Sequence, residues 1–380
     1  MLKRTPLFDA HQKLGARMVE FGGWEMPVHY SSIMDEHLAV RKAAGLFDIS
    51  HMGEVGVSGP SALAFLNHTL TNDLRKVSAG QGQYTLMCNE RGGAIDDLYA
   101  YRRGEQDFLL VINASRIGAD LAWLEKQLAA WPKSSQVSCK NLSDEFGAVA
   151  LQGPRAVEFI DACFPGASIG GTIVSKASEL KKNQLGLFHF EGRELHLART
   201  GYTGEDGFEI IAPAEIMESI WNKLLMVGHG YCLQPAGLGA RDTLRTEVGY
   251  PLYGHELDEQ TTPIEAGLGV FVALDKPEFV GRTILADQKT KGVSKKCVAF
   301  KMTDKTAPPR PQYPIWSAGS QARRVGTVVS GTQSPSLGIG IGMGYVPPSL
   351  AQPGTCIEIE IRSKRAAATI VSKPIYRKSS

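Results

Sequence analysis

Metal-ligand spacings and membrane-length apolar runs are both missing from this chain. Its six cysteines (Cys88, Cys139, Cys163, Cys232, Cys297, Cys356) stand far apart with no CxxC pair, which excludes a zinc site of the usual spacing. A disulfide framework is not expected in a chain of 380 residues without a secretory leader, so reduced, mostly buried thiols are expected. None of the nine histidines forms HExxH or HxxxH. The longest apolar stretch, Gly267–Leu274, is far shorter than the roughly 20 residues a membrane helix needs. The opening MLKRTPLFDAHQKLG has no apolar signal core, and Asp9 argues against an acid-poor transit peptide. A cytoplasmic address of bacterial type is expected. An excess of one charge is missing too: 41 Lys and Arg against 39 Asp and Glu leave +2. That argues against a surface built mainly to grip nucleic acid or an anionic membrane.

Phosphate loops of the GxxxxGK[ST] type and GxSxG elbows are also absent. The glycines of Gly338–Gly344 alternate with Ile and Met and run into Tyr345-Val346-Pro347-Pro348. No helix can start there, so this is a glycine-rich strand and not a dinucleotide loop. Asp48, Ser50 and His51 lie too close along one loop to converge as a hydrolytic triad.

What is present reads as a folded α+β protein. An apolar fraction of 43% with 21% charged residues excludes general disorder. The length exceeds the roughly 250–300 residues one core supports, so two or three domains are expected. Helical stripes appear at Ile117, Leu121, Leu124 and Leu128, with Ser115 as the expected cap. Others run through Ala156, Phe159, Ile160 and Cys163 behind Gly153-Pro154, and through Ile216, Ile220 and Leu224. Alternation marks strands at Val55 and Val57, at Leu195 and Leu197, and at Ile357, Ile359 and Ile361. Apolar runs at Phe108–Asn113, Ala148–Gln152 and Phe208–Ala212 read as further strands. Beyond Gly281 little helical signal remains. Asp287–Lys296 reads as a polar connector, with a boundary near residue 285 and a small all-β barrel after it.

Three segments carry candidate chemistry. Asp96-Asp97 follows a turn at Asn89–Gly93 and opens an apolar stretch; successive side chains on a strand face opposite ways, so one carboxylate is expected inside and the other in solvent. Arg199–Glu209 is a glycine-punctuated loop between strands, suited either to close approach of a ligand or to a flexible tip. Glu209 opens its outgoing strand, where a carboxylate can accept two parallel N–H donors. Pro235–Arg245 is a glycine turn entering a helix. Arg241 near that start needs a carboxylate partner, either Asp242 or Glu247 or a ligand's.

Together these segments resemble the aminomethyltransferase family, the T-proteins of the glycine cleavage system, almost end to end. The likeness rests on Arg4–Leu7, Phe21–Trp24, Phe47–Gly53, Gly92–Leu98, Leu151–Pro154, Arg199–Glu209, Pro235–Arg245, Thr261–Leu268, Ser330–Leu337 and Lys373–Arg377. Departures are small, with Thr246 and Val248 flanking Glu247 where the family commonly has Leu and Ala. The resemblance implies three domains around a central folate channel: residues 1–50 with 140–250, residues 51–139, and a barrel at 286–380 reached through 251–285. It implies transfer of a one-carbon unit from the aminomethylated lipoyl arm of H-protein to tetrahydrofolate, releasing ammonia, with no metal, pyridoxal phosphate or NAD. Asp97 then takes the catalytic role, and Glu209 holds the pterin edge. Met52, Tyr84, Asn113, Arg241, Tyr250 and Arg377 match positions around the folate. Lys3 and Arg4 match a contact for acidic H-protein; the alternative is a solvated terminus. Rival expectations are a folate-dependent demethylase of a small amine or sulfonium and a non-catalytic folate-binding protein. Neither nucleic acid nor membrane is an expected partner.

Overall fold

The computed structural model describes residues 2–304 and 306–378. Two compact units are formed, each from two stretches of chain: residues 1–85 with 97–241, and residues 86–96 with 242–380.

The first unit is built around a seven-stranded sheet. Its strands run in the order Gly170–Gly171, Leu185–Phe190, Arg193–Ala198, Gly207–Pro213, Phe146–Gln152, Ala44–Asp48 and Leu233–Pro235. Period-two alternation sorts the side chains of this sheet. Leu195, Leu197, Phe208, Ile210, Val149, Leu151 and Leu46 turn to one face. There they meet the helices Ala156–Cys163 and Met217–Gly228 through Phe159, Ile160, Ile220, Trp221 and Leu224. The two helical stripes behind Gly153-Pro154 and around Ile220 are thus core faces, as their spacing predicts. His196, Ala198, Glu209 and Ala150 turn to the opposite face.

That second face meets the five-stranded sheet, ordered Gln81–Cys88, Ala94–Gly104, Asp107–Ile112, Gly53–Ser58 and Ser138–Asn141. The hydroxyl of Tyr101 on one sheet reaches Thr200 Oγ1, 2.8 Å away beside the other. The helix Ile117–Ala129 forms where predicted, but Ser115 does not cap it. A 3₁₀ turn over Ala114–Arg116 precedes the helix, and its N-cap residue, Arg116, makes no side-chain capping bond.

The second unit ends in a closed six-stranded barrel, Lys296–Met302, Gly340–Val346, Arg324–Gln333, Pro314–Ser317, Cys356–Ile361 and Lys364–Val371 in spatial order. Ile357, Ile359 and Ile361 point inward and Glu358 and Glu360 remain half-exposed, which closes the barrel on its own core without an open edge. Gly340–Val346 is the glycine-rich strand expected from its alternation. One expectation fails here: Arg282–Lys291 is a helix that takes in half of the supposed polar connector. Only Leu285 of it is buried, so no apolar stripe announced it. Among the described residues no helix is long and apolar enough to cross a membrane.

Candidate active site

Asp97 lies on the strand Ala94–Gly104, at the face turned toward the seven-stranded sheet, and is only 9% exposed. Tyr84 Oη donates to its Oδ2 at 2.8 Å, and Asn113 Nδ2 donates to its Oδ1 at 3.0 Å. A second bond at 3.0 Å from the same Asn113 amide to the Asp97 carbonyl fixes the carboxylate's orientation against its own backbone. Strand pairing explains the grouping. Tyr99 pairs with Val111 and Gly53 with Ile112, so two residues beyond the first pair and one beyond the second the same registers place Asp97, Asn113 and Met52 side by side across three strands. The neighbouring Asp96 is fully buried as well. The expectation that one of the two carboxylates is solvated is therefore wrong: both faces of this strand are covered within the protein, so alternation sends neither side chain to water.

Glu209 sits on the facing strand, where Thr200 Oγ1 donates to its Oε2 at 2.5 Å and Tyr101 Oη approaches at 3.4 Å. The loop leading to it is pinned at several points. Buried Gln152 donates to the Thr200 carbonyl at 3.0 Å and accepts from Thr203 Oγ1 at 2.8 Å. Arg41 pairs with Glu205 at 2.9 Å inside the protein and also holds the Thr203 carbonyl. Arg199 grips Asp206 with two nitrogens, at 3.0 and 2.5 Å. A Cβ at Gly201 would stand 1.9 Å from Gln152 Oε1, so only glycine lets the loop lie this close. The flexible-tip alternative does not describe this loop.

Arg241 lies 4.6 Å from the ring centre of Tyr202 in the same loop, within cation–π range. Of the two in-chain carboxylates considered for it, Asp242 is gripped by Arg245 at 2.7 and 2.9 Å, and Glu247 accepts from Ser334 and Ser336. Burial, with the charge of Arg241, pushes the His51 imidazole down to about 4 against the opposing pull of Asp48. Asp48 itself serves His11 at 2.9 Å, Thr5 at 2.7 Å and the Ser50 N–H at 2.8 Å. Its side chain is bound away from His51 and the Ser50 hydroxyl, in agreement with rejecting a triad.

In the second unit, Tyr250 and Arg377 are both exposed. The Tyr376 N–H donates to the Glu247 carbonyl at 2.8 Å, bringing the terminal segment to the end of the helix that Tyr250 follows. Among the described residues no group of three or more His, Cys, Asp or Glu could hold a metal ion.

A family model described as the GCVT N-terminal domain matches residues 7–276, and one described as the glycine cleavage T-protein C-terminal barrel domain matches 295–377. The chain is 45% identical over 380 residues to the aminomethyltransferase of Bacillus pumilus, covering all of both chains. It is 42% identical over 382 residues to that of Desulfitobacterium hafniense, covering 99% of each. The crystal structure of glycine cleavage system aminomethyltransferase T from Bartonella henselae superposes with a TM-score of 0.89 at 36% identity, covering 99% of this chain and 98% of that one. The chain belongs to the glycine cleavage T-protein family.

Within this T-protein fold two partners of the site escaped the sequence reading. Tyr101 looked like part of an apolar run, and Thr200 like one more loop residue. The signal for Tyr101 was available: Asp97, Tyr99 and Tyr101 recur at every second position, which sets them on one face of a strand. The rings of Tyr99 and Tyr101 lie 4.8 Å apart, and Tyr101 Oη reaches Glu209 Oε2 at 3.4 Å. For Thr200 no local pattern existed.

Proposed function

We propose that Asp97 is the catalytic carboxylate of this aminomethyltransferase and that Glu209 orients the folate. The buried Asp97 carboxylate, held at both oxygens by Tyr84 and Asn113 at 2.8 and 3.0 Å, carries this reading. A fixed negative charge in a water-poor place stabilises positive charge developing on a carbon far better than the same charge in water. It needs no reorganisation when the charge appears.

The reaction is transfer of a one-carbon unit from the aminomethylated lipoyl arm of H-protein to tetrahydrofolate, with release of ammonia. Tetrahydrofolate, as co-substrate, supplies the nitrogens that receive the carbon. The donor set fits such a ligand. Glu209, with Thr200 on one oxygen, keeps acceptor capacity for a paired N–H edge. Met52, Tyr84, Asn113 and Arg241 belong to the same reading, as do Tyr250 and Arg377 from the second unit. For the domains we favour the division 1–50 with 140–250, 51–139, and a barrel from 286 reached through 251–285, because the seven-stranded sheet draws its strands from the first of these sets and the five-stranded sheet, except the last two residues of Ser138–Asn141, from the second. H-protein contact at the amino terminus is supported by how the chain lies there. Lys3 bonds by its backbone beside Trp24, and Arg4 pairs with Glu25 at 3.1 Å while staying largely exposed. A bacterial cytoplasmic setting accords with the bacterial relatives.

Replacing Asp97 with Asn keeps the shape and an acceptor for Tyr84 while removing the charge. Ammonia release from aminomethylated H-protein and tetrahydrofolate should fall by roughly two orders of magnitude or more, mainly in kcat. Glu209→Gln should act chiefly through the KM for tetrahydrofolate. Undiminished turnover in Asp97→Asn removes that residue from the mechanism, and ammonia release from a small methylated amine without H-protein would favour the demethylase.

A further inference from the structure

We propose that Arg245 is a positioning residue for folate binding that acts through Tyr250; this rests on Tyr250 being a folate contact. Tyr250 is the second residue past the helix Leu238–Val248, which ends at Gly249 with φ 75°. The Gly249 N–H donates to the Thr246 carbonyl at 3.1 Å, and the Tyr250 N–H to the Arg245 carbonyl at 3.0 Å. These two bonds form a Schellman ending, which fixes how the chain leaves the helix. Pro251 comes next and disfavours a helical conformation at Tyr250.

The side chain of Arg245, only 1% exposed, completes the hold. Its Nη1 donates to the Tyr250 carbonyl at 3.3 Å and to Glu256 Oε2 at 3.1 Å. Nε and Nη2 donate to Asp242 Oδ1 at 2.9 and 2.7 Å, and Nη2 also to Ser330 Oγ at 2.8 Å. A guanidinium has five N–H donors in a rigid planar fork, and these five bonds engage it on every side. One residue thus binds Tyr250 at both its N–H and its carbonyl.

The neighbours of Tyr250 are gathered on the same cluster. Glu256 Oε2 also accepts from the Leu252 N–H at 3.0 Å. Ser330 lies at an irregularity of the barrel strand Arg324–Gln333, so its bond ties the cluster to the barrel wall. With its donors engaged inside the protein, Arg245 serves a ligand through what it holds. Tyr250 itself remains 36% exposed. A side chain presented from a fixed backbone loses less freedom when a ligand binds, so the hold acts on affinity and not on the chemical step.

Arg245→Lys tests this. It keeps a cation for buried Glu256 and the backbone bonds of the helix end, but one ammonium cannot serve five directions. In turnover of aminomethylated H-protein and tetrahydrofolate by the full-length protein, the KM for tetrahydrofolate should rise roughly five- to tenfold, as expected for one lost hydrogen bond. The kcat and the KM for H-protein should not change. A purely structural role would instead reduce the folded fraction, lowering kcat and leaving both KM values alone. Tyr250→Ala should raise the same KM, and adding Arg245→Lys to it should raise it no further. Additive effects, or an unchanged KM in Arg245→Lys where Tyr250→Ala raises it, overturn the proposal. An unchanged KM in Tyr250→Ala removes Tyr250 from the folate site, and this role of Arg245 falls with it. Ser330→Ala removes one bond of the cluster and no charge, and it decides the matter if Arg245→Lys does not fold. It should raise the KM for tetrahydrofolate roughly twofold or more; an unaltered value overturns the proposal.

Discussion

Three carboxyl groups of the first unit show how surroundings decide what an acid does. Asp97 is held by a phenol and an amide. Burial alone would raise the Asp48 carboxyl, but the bonds and charge of His11, with Thr5 and the Ser50 N–H, outweigh it and hold the group below its ordinary value. Glu54 has neither kind of help. It is fully buried beside Val111 on the strand Gly53–Ser58, both oxygens lack a hydrogen-bond partner, and burial pushes its pKa up to about 8. In the unfolded chain it ionises near its ordinary value of 4.5. Between those two values the folded protein binds the extra proton, so stability falls as pH rises and the penalty is fully present above the folded pKa. One such group gives a slope of up to about 1.4 kcal/mol per pH unit. Glu54→Gln should therefore flatten the loss of urea stability between pH 5 and pH 8. An identical pH profile in the variant would mean that the Glu54 carboxyl already ionises in the folded state.

At the scale of elements, the Thr200–Asp206 loop is an ordered part of the site because other elements hold it. Gln152, at the end of one central strand, supplies both a donor and an acceptor to it. Gln152→Ala removes both and should cost about 1–3 kcal/mol in stability. It should also speed hydrogen exchange at Thr200–Glu205 while leaving the barrel amides unchanged; equal exchange in loop and barrel would show that the loop does not depend on this side chain. Elements of this kind differ in how far they are legible beforehand. Strands with one apolar face, such as Leu195-His196-Leu197 and Ile357–Ile361, announce themselves by alternation, and the helix around Phe159 by its 3,4 spacing. The helix Arg282–Lys291 does not, because it buries a single leucine. The spatial order of the sheet strands is equally silent, since it is set by pairings such as Ala44–Asp48 with Phe146–Gln152, about a hundred residues apart. The site followed the same rule. Candidate residues came from segments whose pattern and family likeness could be read locally. Alternation could set Tyr101 on the face of Asp97, but its reach to Glu209, and Thr200 altogether, became visible only once two sheets were laid face to face, and burial of Asp96 depended on what covered the far side of its strand.

For the molecule as a whole, chain path decides how the two compact units respond to stress. The boundaries between them, at residues 85/86, 96/97 and 241/242, fall inside regular elements: the strands Gln81–Cys88 and Ala94–Gly104 and the helix Leu238–Val248. A unit cannot unravel without breaking hydrogen bonds of an element that the other unit also uses, so separate melting of either is disfavoured. The cysteines report on this without added labels. Cys163 is buried in the first unit, and Cys88 and Cys297 in the second, while Cys232 and Cys356 are exposed. Burial raises all three buried thiols, with Cys297 pushed up to about 11 and Cys163 to about 12, so they stay protonated and inert in the folded protein. A thiol reagent at pH 8 should therefore label Cys232 and Cys356 at once. With increasing urea, Cys163, Cys88 and Cys297 should become reactive over one shared transition. Exposure of Cys297 and Cys88 at a distinctly lower urea concentration than Cys163 would show that the shared strands and helix divide at the boundary, and that the units are thermodynamically independent despite their interleaved chain.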